Sequence, residues 1–587
     1  MIVRVFLDLM WFFKMHKGRY AAGISLLLCV AILSLIPPHA VGVIMDAMRR
    51  HTLTRGMILQ WVAILAVDTV FIYAMRYIWR VLLFGSAMEL AARLREKLYE
   101  HFTRMSPQFY HKNRIGDLMA HSTNDVQAVE MTATDGILTL VDSISTGIVV
   151  ITTMATTLSW KLTLITLIPM PIMAFATSRY GRMMHTRFHI AQEAFAEITE
   201  YTQETIAGIR VIKAFGQEDV ERKRFAERSL DVVKKNIRVA RIDALFDPTI
   251  SLVVGCSYLL SVGFGALFVV HRQLTIGELT TFTLYLGQLI WPMLAFGWLF
   301  NIVERGRASD DRIKTLLSTP EDIRDAEITL DGRPTGEIAF ALDEFTYPDA
   351  EKPVLKNIHF SIKQGQTLGI VGRTGSGKTT LFKLLLREFD VTQGEIFVGG
   401  QPIDAWTLSA LRGAIAYVPQ DHFLFSASIA QNIAFARASA PLEEIQGVAR
   451  QAAIHEDILR FPDGYATVVG ERGVTLSGGQ KQRVSIARAL LMDAEILILD
   501  DSLSAVDATT EASILHALRQ KPKTATTLIA THRLSSVEHA DLILVLEDGE
   551  IVERGAHMDL LAQNGVYAAM YERQQLENIV EHGGVSA

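Results

Sequence analysis

The 587-residue chain has little cysteine and no excess of positive charge. Only Cys29 and Cys256 are present, and both lie inside apolar runs, where a thiol behaves as a small hydrophobic group. A disulfide framework and a zinc site are therefore excluded. The formal net charge is −6, so no basic patch supports binding to nucleic acid, and we exclude that class of function.

Long stretches of the first 305 residues lack charge. Half of all residues are hydrophobic, and nearly all the long apolar runs lie in this part of the chain. In lipid only helices and closed barrels satisfy every backbone polar group, and these runs have helical length. No small-residue cleavage site follows the first run, which we interpret as a retained helix. We predict six membrane spans, at about 20–43, 57–83, 137–158, 162–176, 250–270 and 279–303.

The connections between these segments alternate between short and long. The long ones, about 84–136 and 177–248, are rich in charged residues at helical spacing, which predicts helices that extend beyond the membrane. Three basic residues before the first span favour a cytoplasmic location for both chain ends and for these extensions, whereas three arginines between positions 49 and 55 favour the reverse.

Two acidic residues, Asp68 and Asp142, lie within predicted spans. An ionisable group is costly in lipid, so each is a candidate for function. The alternative is that each faces an aqueous cavity or pairs with a donor on a neighbouring helix. The sequence favours this alternative over a functional role.

A change in composition predicts the domain organisation. A polar stretch, 306–334, is the predicted linker, and from 335 to 575 β-rich runs alternate with helical patterns. Residues 576–587 are a predicted C-terminal tail. The expected fold is an all-α six-helix transmembrane domain, 1–305, followed by an α/β domain.

The strongest motif of the chain is a glycine-rich loop between a strand pattern and a helix pattern. Glycines let backbone N–H groups curl around phosphate, Lys378 reaches the terminal phosphates, and the Thr379 hydroxyl binds magnesium. The order strand, loop and helix predicts a P-loop domain that binds ATP and Mg²⁺. The loop comprises Gly372, Arg373, Thr374, Gly375, Ser376, Gly377, Lys378, Thr379 and Thr380.

Two adjacent carboxylates follow a second buried strand pattern, 496–499. Asp500 ends that strand and is placed to hold magnesium through water. Asp501 then occupies the position of the base that polarises the attacking water. A solvated acidic turn is disfavoured, because the four preceding residues are all isoleucine or leucine.

Between these motifs lies a serine- and glycine-rich segment that opens a helical run and consists of Leu476, Ser477, Gly478, Gly479 and Gln480. It resembles the signature of ATP-binding cassette (ABC) proteins, and the whole chain resembles a bacterial half-transporter of the multidrug exporter type. The resemblance implies a head-to-tail pair of cassettes, in which each ATP lies between one chain's phosphate loop and the other chain's signature. It also implies export from the cytoplasm across the cytoplasmic membrane. The need of the cassette for cytoplasmic ATP outweighs the three arginines near position 50, so we predict that both chain ends and the nucleotide-binding domain are cytoplasmic.

Further positions match this family one by one. Tyr347 resembles the aromatic residue that stacks on adenine. Gln420 resembles the glutamine that meets magnesium and the attacking water, and His532 resembles the switch histidine that contacts the terminal phosphate. Segments 504–507 and 470–473 resemble the two loops that face the other chain. Turns 114–118 and 214–218 resemble the cytoplasmic segments that dock on the cassettes.

Asp501 departs from the family pattern, which has glutamate at this position. A base must come within hydrogen-bond reach of the water, and aspartate is shorter by one C–C bond. We therefore predict a site that binds ATP and hydrolyses it slowly, and a partner chain that supplies the glutamate. A slow homodimer and an ATP-binding membrane sensor are the alternatives. The expected cargo is amphipathic small molecules, with lipid or peptide as alternatives.

Overall fold

The computed structural model describes residues 2–326, 329–348, 350–470, 473, 475–520 and 525–582. The chain divides into two compact units. The first comprises residues 1–104 and 113–319, and the second comprises 105–112 and 320–587. The change from one unit to the other after Thr319 falls inside the predicted linker.

The chain up to Thr319 is helical. Short π-helical turns at His121–Asp125, Thr132–Gly136 and Met154–Ser159 join some of its helices. The α-helices are α1 (Ile2–Asp8), α2 (Met10–Met15), α3 (Lys17–Leu33), α4 (Ile36–Arg49), α5 (Arg55–Arg104), α6 (Pro107–Lys112), α7 (Ile115–Ala120), α8 (Val126–Met131), α9 (Ile137–Thr153), α10 (Trp160–Leu167), α11 (Met170–Ala207), α12 (Ile209–Ala214), α13 (Glu218–Asp243), α14 (Phe246–Val270), α15 (Ile276–Gln288) and α16 (Ile290–Leu317).

Within the described residues, five helical runs are long and apolar enough to cross a membrane: 17–49, 55–104, 115–167, 218–270 and 276–317. They contain five of the six predicted spans, and each extends past the apolar stretch. The remaining span, 162–176, is divided between α10 and α11. The break falls at Pro169 and Pro171, and proline is favoured at a helix start because it has no N–H to donate.

Small residues bring the helices of the first unit close together. A Cβ on Gly277 of α15 would lie 2.1 Å from the carbonyl oxygen of Gly42 on α4, so this contact requires glycine. The Asp46 carboxylate accepts a hydrogen bond from the Gly277 N–H at 2.8 Å. Close backbone approach of this kind is typical of helix packing in membranes, where van der Waals contact replaces the hydrophobic effect.

The two acidic residues of the predicted spans have different surroundings. The side chain of Asp68 is buried, and within the described part of the chain neither of its carboxylate oxygens has a hydrogen-bond partner. Asp142 is half-buried and interacts electrostatically with Arg76, which favours the paired reading for this residue.

The second unit is α/β. Its strands are β1 (Ile338–Phe345), β2 (Leu355–Ile362), β3 (Thr367–Gly372), β4 (Gln393–Val398), β5 (Gln401–Pro402), β6 (Ile415–Val418), β7 (Ile496–Asp500), β8 (Thr526–Thr531), β9 (Leu542–Glu547) and β10 (Glu550–Gly555). Its helices after α16 are α17 (Lys378–Leu385), α18 (Leu408–Gly413), α19 (Ile429–Ile433), α20 (Leu442–Gln451), α21 (His455–Leu459), α22 (Gly478–Leu491), α23 (Ala508–Gln520), α24 (His557–Ala562) and α25 (Val566–His582).

Two sheets organise these strands. An antiparallel sheet has the order β2-β1-β4-β5, and a larger sheet has the order β10-β9-β3-β8-β7-β6, in which only β10 is antiparallel. Strand β7, between β8 and β6, is buried along its whole length, which explains its unbroken run of isoleucine and leucine. Parallel strands present all their carboxyl ends at one edge, where ligands bind in open α/β sheets.

Helix α6 belongs to the second unit, although in the sequence it lies between the second and third predicted spans. Met105 and Phe109 are buried, and the Ser106 hydroxyl donates a hydrogen bond to the Asp322 carboxylate at 2.6 Å. The predicted docking turn at 114–118 lies a few residues later, in the first unit. The sequence analysis did not predict that α6 belongs to the α/β unit, and the docking role of 114–118 stays a prediction.

Candidate functional site

The glycine-rich loop connects β3 to the start of α17, as the sequence predicts. Gly377 precedes the first helical residue with φ +102, and a Cβ there would lie 2.6 Å from the Leu355 side chain. Glycine is therefore required by conformation and by space. No side chain caps the start of α17, and the N-terminus of a helix is an end that favours anions.

Lys378 is held by the loop itself. Its Nζ donates hydrogen bonds to the carbonyl oxygens of Gly372 at 2.8 Å and Arg373 at 2.9 Å. Burial lowers the pKa of the Lys378 ammonium, and the nearby carboxylates of Asp501 and Asp500 oppose that shift. This position keeps a cation beside the loop that a phosphate would enter.

Among the remaining loop residues, Arg373, Thr374 and Gly375 are exposed. The Ser376 hydroxyl is buried and has no hydrogen-bond partner within the described chain. A ligand oxygen would satisfy such a group, because an unpaired buried hydroxyl costs about 1–3 kcal/mol.

Asp500 ends β7 and contacts the start of α17. The Thr379 hydroxyl donates to its Oδ1 at 3.2 Å, and the Tyr417 hydroxyl donates to its Oδ2 at 3.3 Å. Burial raises the pKa of the Asp500 carboxyl and these hydrogen bonds oppose the rise. The donor set of one carboxylate and one hydroxyl, all oxygen, suits Mg²⁺, which keeps several waters and takes substrate phosphate as a ligand.

Asp501 has a left-handed backbone conformation, with φ +49. Its N–H donates to the Ala530 carbonyl at 2.8 Å, and its own carbonyl accepts from the Ser504 hydroxyl at 2.9 Å. These bonds fix the backbone on both sides of the side chain. The carboxylate lies with Oδ1 2.9 Å from Nδ1 of His532.

The sheet register brings His532 and Gln420 to the same edge. His532 follows Thr531, which pairs with Val371 just before the glycine-rich loop, and its side chain is more than half exposed. Gln420 lies two residues beyond Val418, the last β6 residue paired with β7, and is exposed. The register places both residues just past the ends of strands that pair with β3 and β7, and His532 contacts Asp501.

Tyr347 lies next to the phosphate loop. Its hydroxyl is 3.0 Å from Oγ1 of Thr380, and its ring packs edge-on against Phe345 and Phe389 at centroid distances of 5.1 and 4.9 Å. The residue therefore belongs to a small aromatic cluster at the rim of the loop, where a planar base could stack.

The predicted signature starts a helix. The Ser477 hydroxyl accepts a hydrogen bond from the Gln480 N–H at 3.3 Å, while Oε1 of Gln480 accepts from the Ser477 N–H at 3.0 Å. This capping box stabilises the start of α22 and leaves Ser477 and Gly478 exposed. The N-terminus of α22 thus presents a second anion-binding end, on the surface of the unit.

Three residues that the sequence analysis passed over organise the loops. Arg533 donates to the carbonyl oxygens of Ser504 and Val506 at 2.9 and 3.1 Å. Gln482 accepts a hydrogen bond from the Ala505 N–H at 3.2 Å. Tyr417 bonds Asp500, as described above. The position of Arg533 directly after His532 was a sequence signal that could have identified it. The sequence around Gln482 and Tyr417 gave no such signal. Glu471 and Arg472 of segment 470–473 lie outside the described residues.

These features define a P-loop nucleotide-binding unit that follows a helical membrane unit in one chain. The sequence pattern of the family described as "ABC transporter transmembrane region" matches residues 20–293, and that of the family described as "ABC transporter" matches residues 355–504. The chain belongs to the ABC transporter family, as a half-transporter of the multidrug exporter type, and its ATP-binding unit is an ATPase coupled to transport.

Individual relatives agree over nearly the whole chain. It is 49% identical over 576 residues to the multidrug resistance-like ATP-binding protein MdlA of Escherichia coli strain K12, covering 98% of this chain and 97% of the relative. It is 48% identical to the probable multidrug resistance ABC transporter ATP-binding/permease protein YheI of Bacillus subtilis strain 168, covering 98% of both chains. A solved bacterial Atm1-family ABC exporter with ATP bound is similar with a TM-score of 0.77, at 28% identity, covering 95% of this chain and 98% of that chain.

Proposed function

We propose that this chain is the half of an unequal exporter pair that contributes the slow ATP site. Its membrane unit and that of a second, different half-transporter together move amphipathic small molecules out across the cytoplasmic membrane. ATP closes the two nucleotide-binding units on each other, and hydrolysis at the partner's site resets them.

The observation that carries this proposal is the position of Asp501. Its backbone is held by hydrogen bonds to Ala530 and Ser504, and its Oδ1 lies 2.9 Å from His532 Nδ1. A water held for attack needs a base within about 2.6–3.2 Å. An aspartate that already contacts the histidine from a fixed backbone is too short to serve both groups.

The sequence contains the residue types that bind the phosphates, Mg²⁺ and adenine of ATP in this family. We assign the phosphates to the loop 372–380 with Lys378 at the terminal phosphates, and adenine to Tyr347. The Thr379 hydroxyl, the Gln420 side chain and, through water, the Asp500 carboxylate would hold Mg²⁺, which supplies neutralisation of the phosphate charge when bound. His532 contacts the terminal phosphate.

The signature serves the other site. Ser477, Gly478, Gly479 and Gln480 lie at the exposed start of α22, a helix end that favours phosphate oxygens. In a head-to-tail pair they complete the site formed by the partner's phosphate loop and glutamate. Gln482 and Arg533 hold the intervening loop, 504–506, against this helix and against the switch histidine.

Replacement of the partner's glutamate by glutamine tests the proposal. We expect the purified pair to lose ATPase activity and transport of an amphipathic dye together, whereas Asp501→Asn in this chain should change the rate little. Equal losses from the two substitutions would contradict an unequal pair. If Lys378→Ala abolished a cellular response while the partner's substitution spared it, the chain would be an ATP-binding sensor instead.

Lipid is the second candidate cargo. The ATP-dependent lipid A-core flippase of Syntrophus aciditrophicus is 32% identical over 582 residues, covering 98% of this chain and 95% of the relative. Reconstituted vesicles holding a fluorescent dye or a labelled lipid distinguish the two. Movement of the dye alone supports the proposed cargo, and movement of the lipid alone replaces it.

A further inference from the structure

The switch histidine is held by the last helix of the chain. The side-chain amide of Gln574, on α25, donates through Nε2 to the carbonyl of His532 and accepts through Oε1 from the N–H of Leu534 at 2.9 Å. One side chain thus satisfies both a carbonyl and an N–H of the loop that carries the histidine. No other side chain in the described residues is recorded bonding these two backbone groups.

The base of α25 is itself anchored. The Glu553 carboxylate on β10 accepts hydrogen bonds from the N–H groups of Val566 and Tyr567, the latter at 3.0 Å. The Tyr567 ring is fully buried, and its hydroxyl lies 2.7 Å from Nδ1 of His557. Gln574 therefore lies on a helix whose start is anchored, two turns after Tyr567.

The other side of the switch loop is fixed separately. Arg533 bonds the carbonyls of Ser504 and Val506 and forms an ion pair with Glu511 at 2.9 Å. Among the residues that the structure describes, the polar contact of the His532 imidazole is with Asp501, at 2.9 Å. Its position is thus set by its backbone, on which Gln574 acts directly.

We propose that Gln574 is a positioning residue for His532, and that through this amide α25 sets how well the histidine meets the terminal phosphate. This rests on the proposed role of His532 at the phosphate. Gln574 acts by holding the carbonyl of residue 532 and the N–H of residue 534 at the correct spacing.

The test compares the natural chain with Gln574→Met, which keeps the length of the side chain and removes both hydrogen bonds. A displacement of His532 by about 1 Å would lower the rate about 100-fold, and we expect a smaller displacement here, so kcat should fall about tenfold. The KM for ATP should stay unchanged, because the phosphate loop and Tyr347 are untouched. Arg573→Ala is the matched control, since it removes only an exposed pair with Glu577 on the same helix.

The measurement is made on the purified full-length chain in two backgrounds, natural and Asp501→Glu, so that a slow natural site does not hide the effect. Gln574→Glu keeps the acceptor for the Leu534 N–H but sets a carboxylate oxygen against the His532 carbonyl, so kcat should fall at least as far as for Gln574→Met. An unchanged kcat for Gln574→Met in both backgrounds overturns the inference, as does an equal loss from Arg573→Ala. His532→Ala distinguishes the role of the histidine at the phosphate from the positioning role of Gln574. If this substitution leaves kcat unchanged, the assigned role of His532 is wrong, whereas the hydrogen bonds of Gln574 are unaffected.

Discussion

If the proposal of a slow ATP site is right, lengthening Asp501 by one methylene should supply a base with the reach to hold the attacking water. Asp501→Glu extends the carboxylate by about 1.5 Å from a backbone that the Ala530 carbonyl and the Ser504 hydroxyl hold in place. Because misplacement by about 1 Å costs on the order of a hundredfold, we expect the ATPase rate of the purified chain to rise by up to about 100-fold. That factor corresponds to about 2.7 kcal/mol in the activation free energy.

The left-handed backbone at Asp501 adds a folding cost for a longer residue, which does not enter the rate of the folded protein. Asp548→Glu is the matched control, since Asp548 is exposed and also left-handed, with φ +47, but lies in a turn outside the site. The assay is phosphate release at saturating MgATP. A rate for Asp501→Glu within about twofold of the natural chain would refute the reasoning that reach limits this site.

Three further predictions concern binding and stability. Lys378→Ala should weaken ATP binding about 10–100-fold, as measured by equilibrium titration, because a charged hydrogen bond is lost. Asp500→Asn should raise the melting temperature of the nucleotide-free chain at pH 7. Burial raises the pKa of Asp500, so the protonated carboxyl stabilises the fold at low pH, and this contribution is lost as the pH rises through the pKa of the folded state. The melting advantage of the variant should therefore shrink on acidification, and a constant advantage would contradict it. Gly306→Ala should destabilise the chain by about 1–3 kcal/mol, since a Cβ would lie 1.8 Å from Oγ1 of Thr132, whereas Gly263→Ala, where no neighbour lies within 4 Å, should not.

The sequence was most informative where a motif fixes backbone geometry. The strand, loop and helix around residues 372–380 and the strand that ends at Asp500 lie where the pattern predicts, because phosphate binding and burial each demand particular residue types. The contact of His532 with Asp501 depends on strand order, which no local pattern states. The family resemblance supplied it.

Other features depend on contacts between residues far apart in the chain. Gln574 and His532 are separated by 42 positions, and neither sits in a pattern that predicts the other. The burial of Phe109 in the second unit likewise reflects tertiary packing of a short helix. The helix α16 continues to Leu317, into the predicted linker, because Ser309 and Asp310 are buried despite their polarity. Composition alone separates polar from apolar residues and does not reveal a buried polar contact.

The central claim is that this chain needs a different partner for hydrolysis. The most direct test is to purify the chain alone and together with a second half-transporter that carries the glutamate, and to measure MgATP hydrolysis by each sample at equal concentration of nucleotide-binding units. The account predicts substantial activity in the paired sample only, with ATP still bound by the chain alone. Full activity of the chain alone would contradict it.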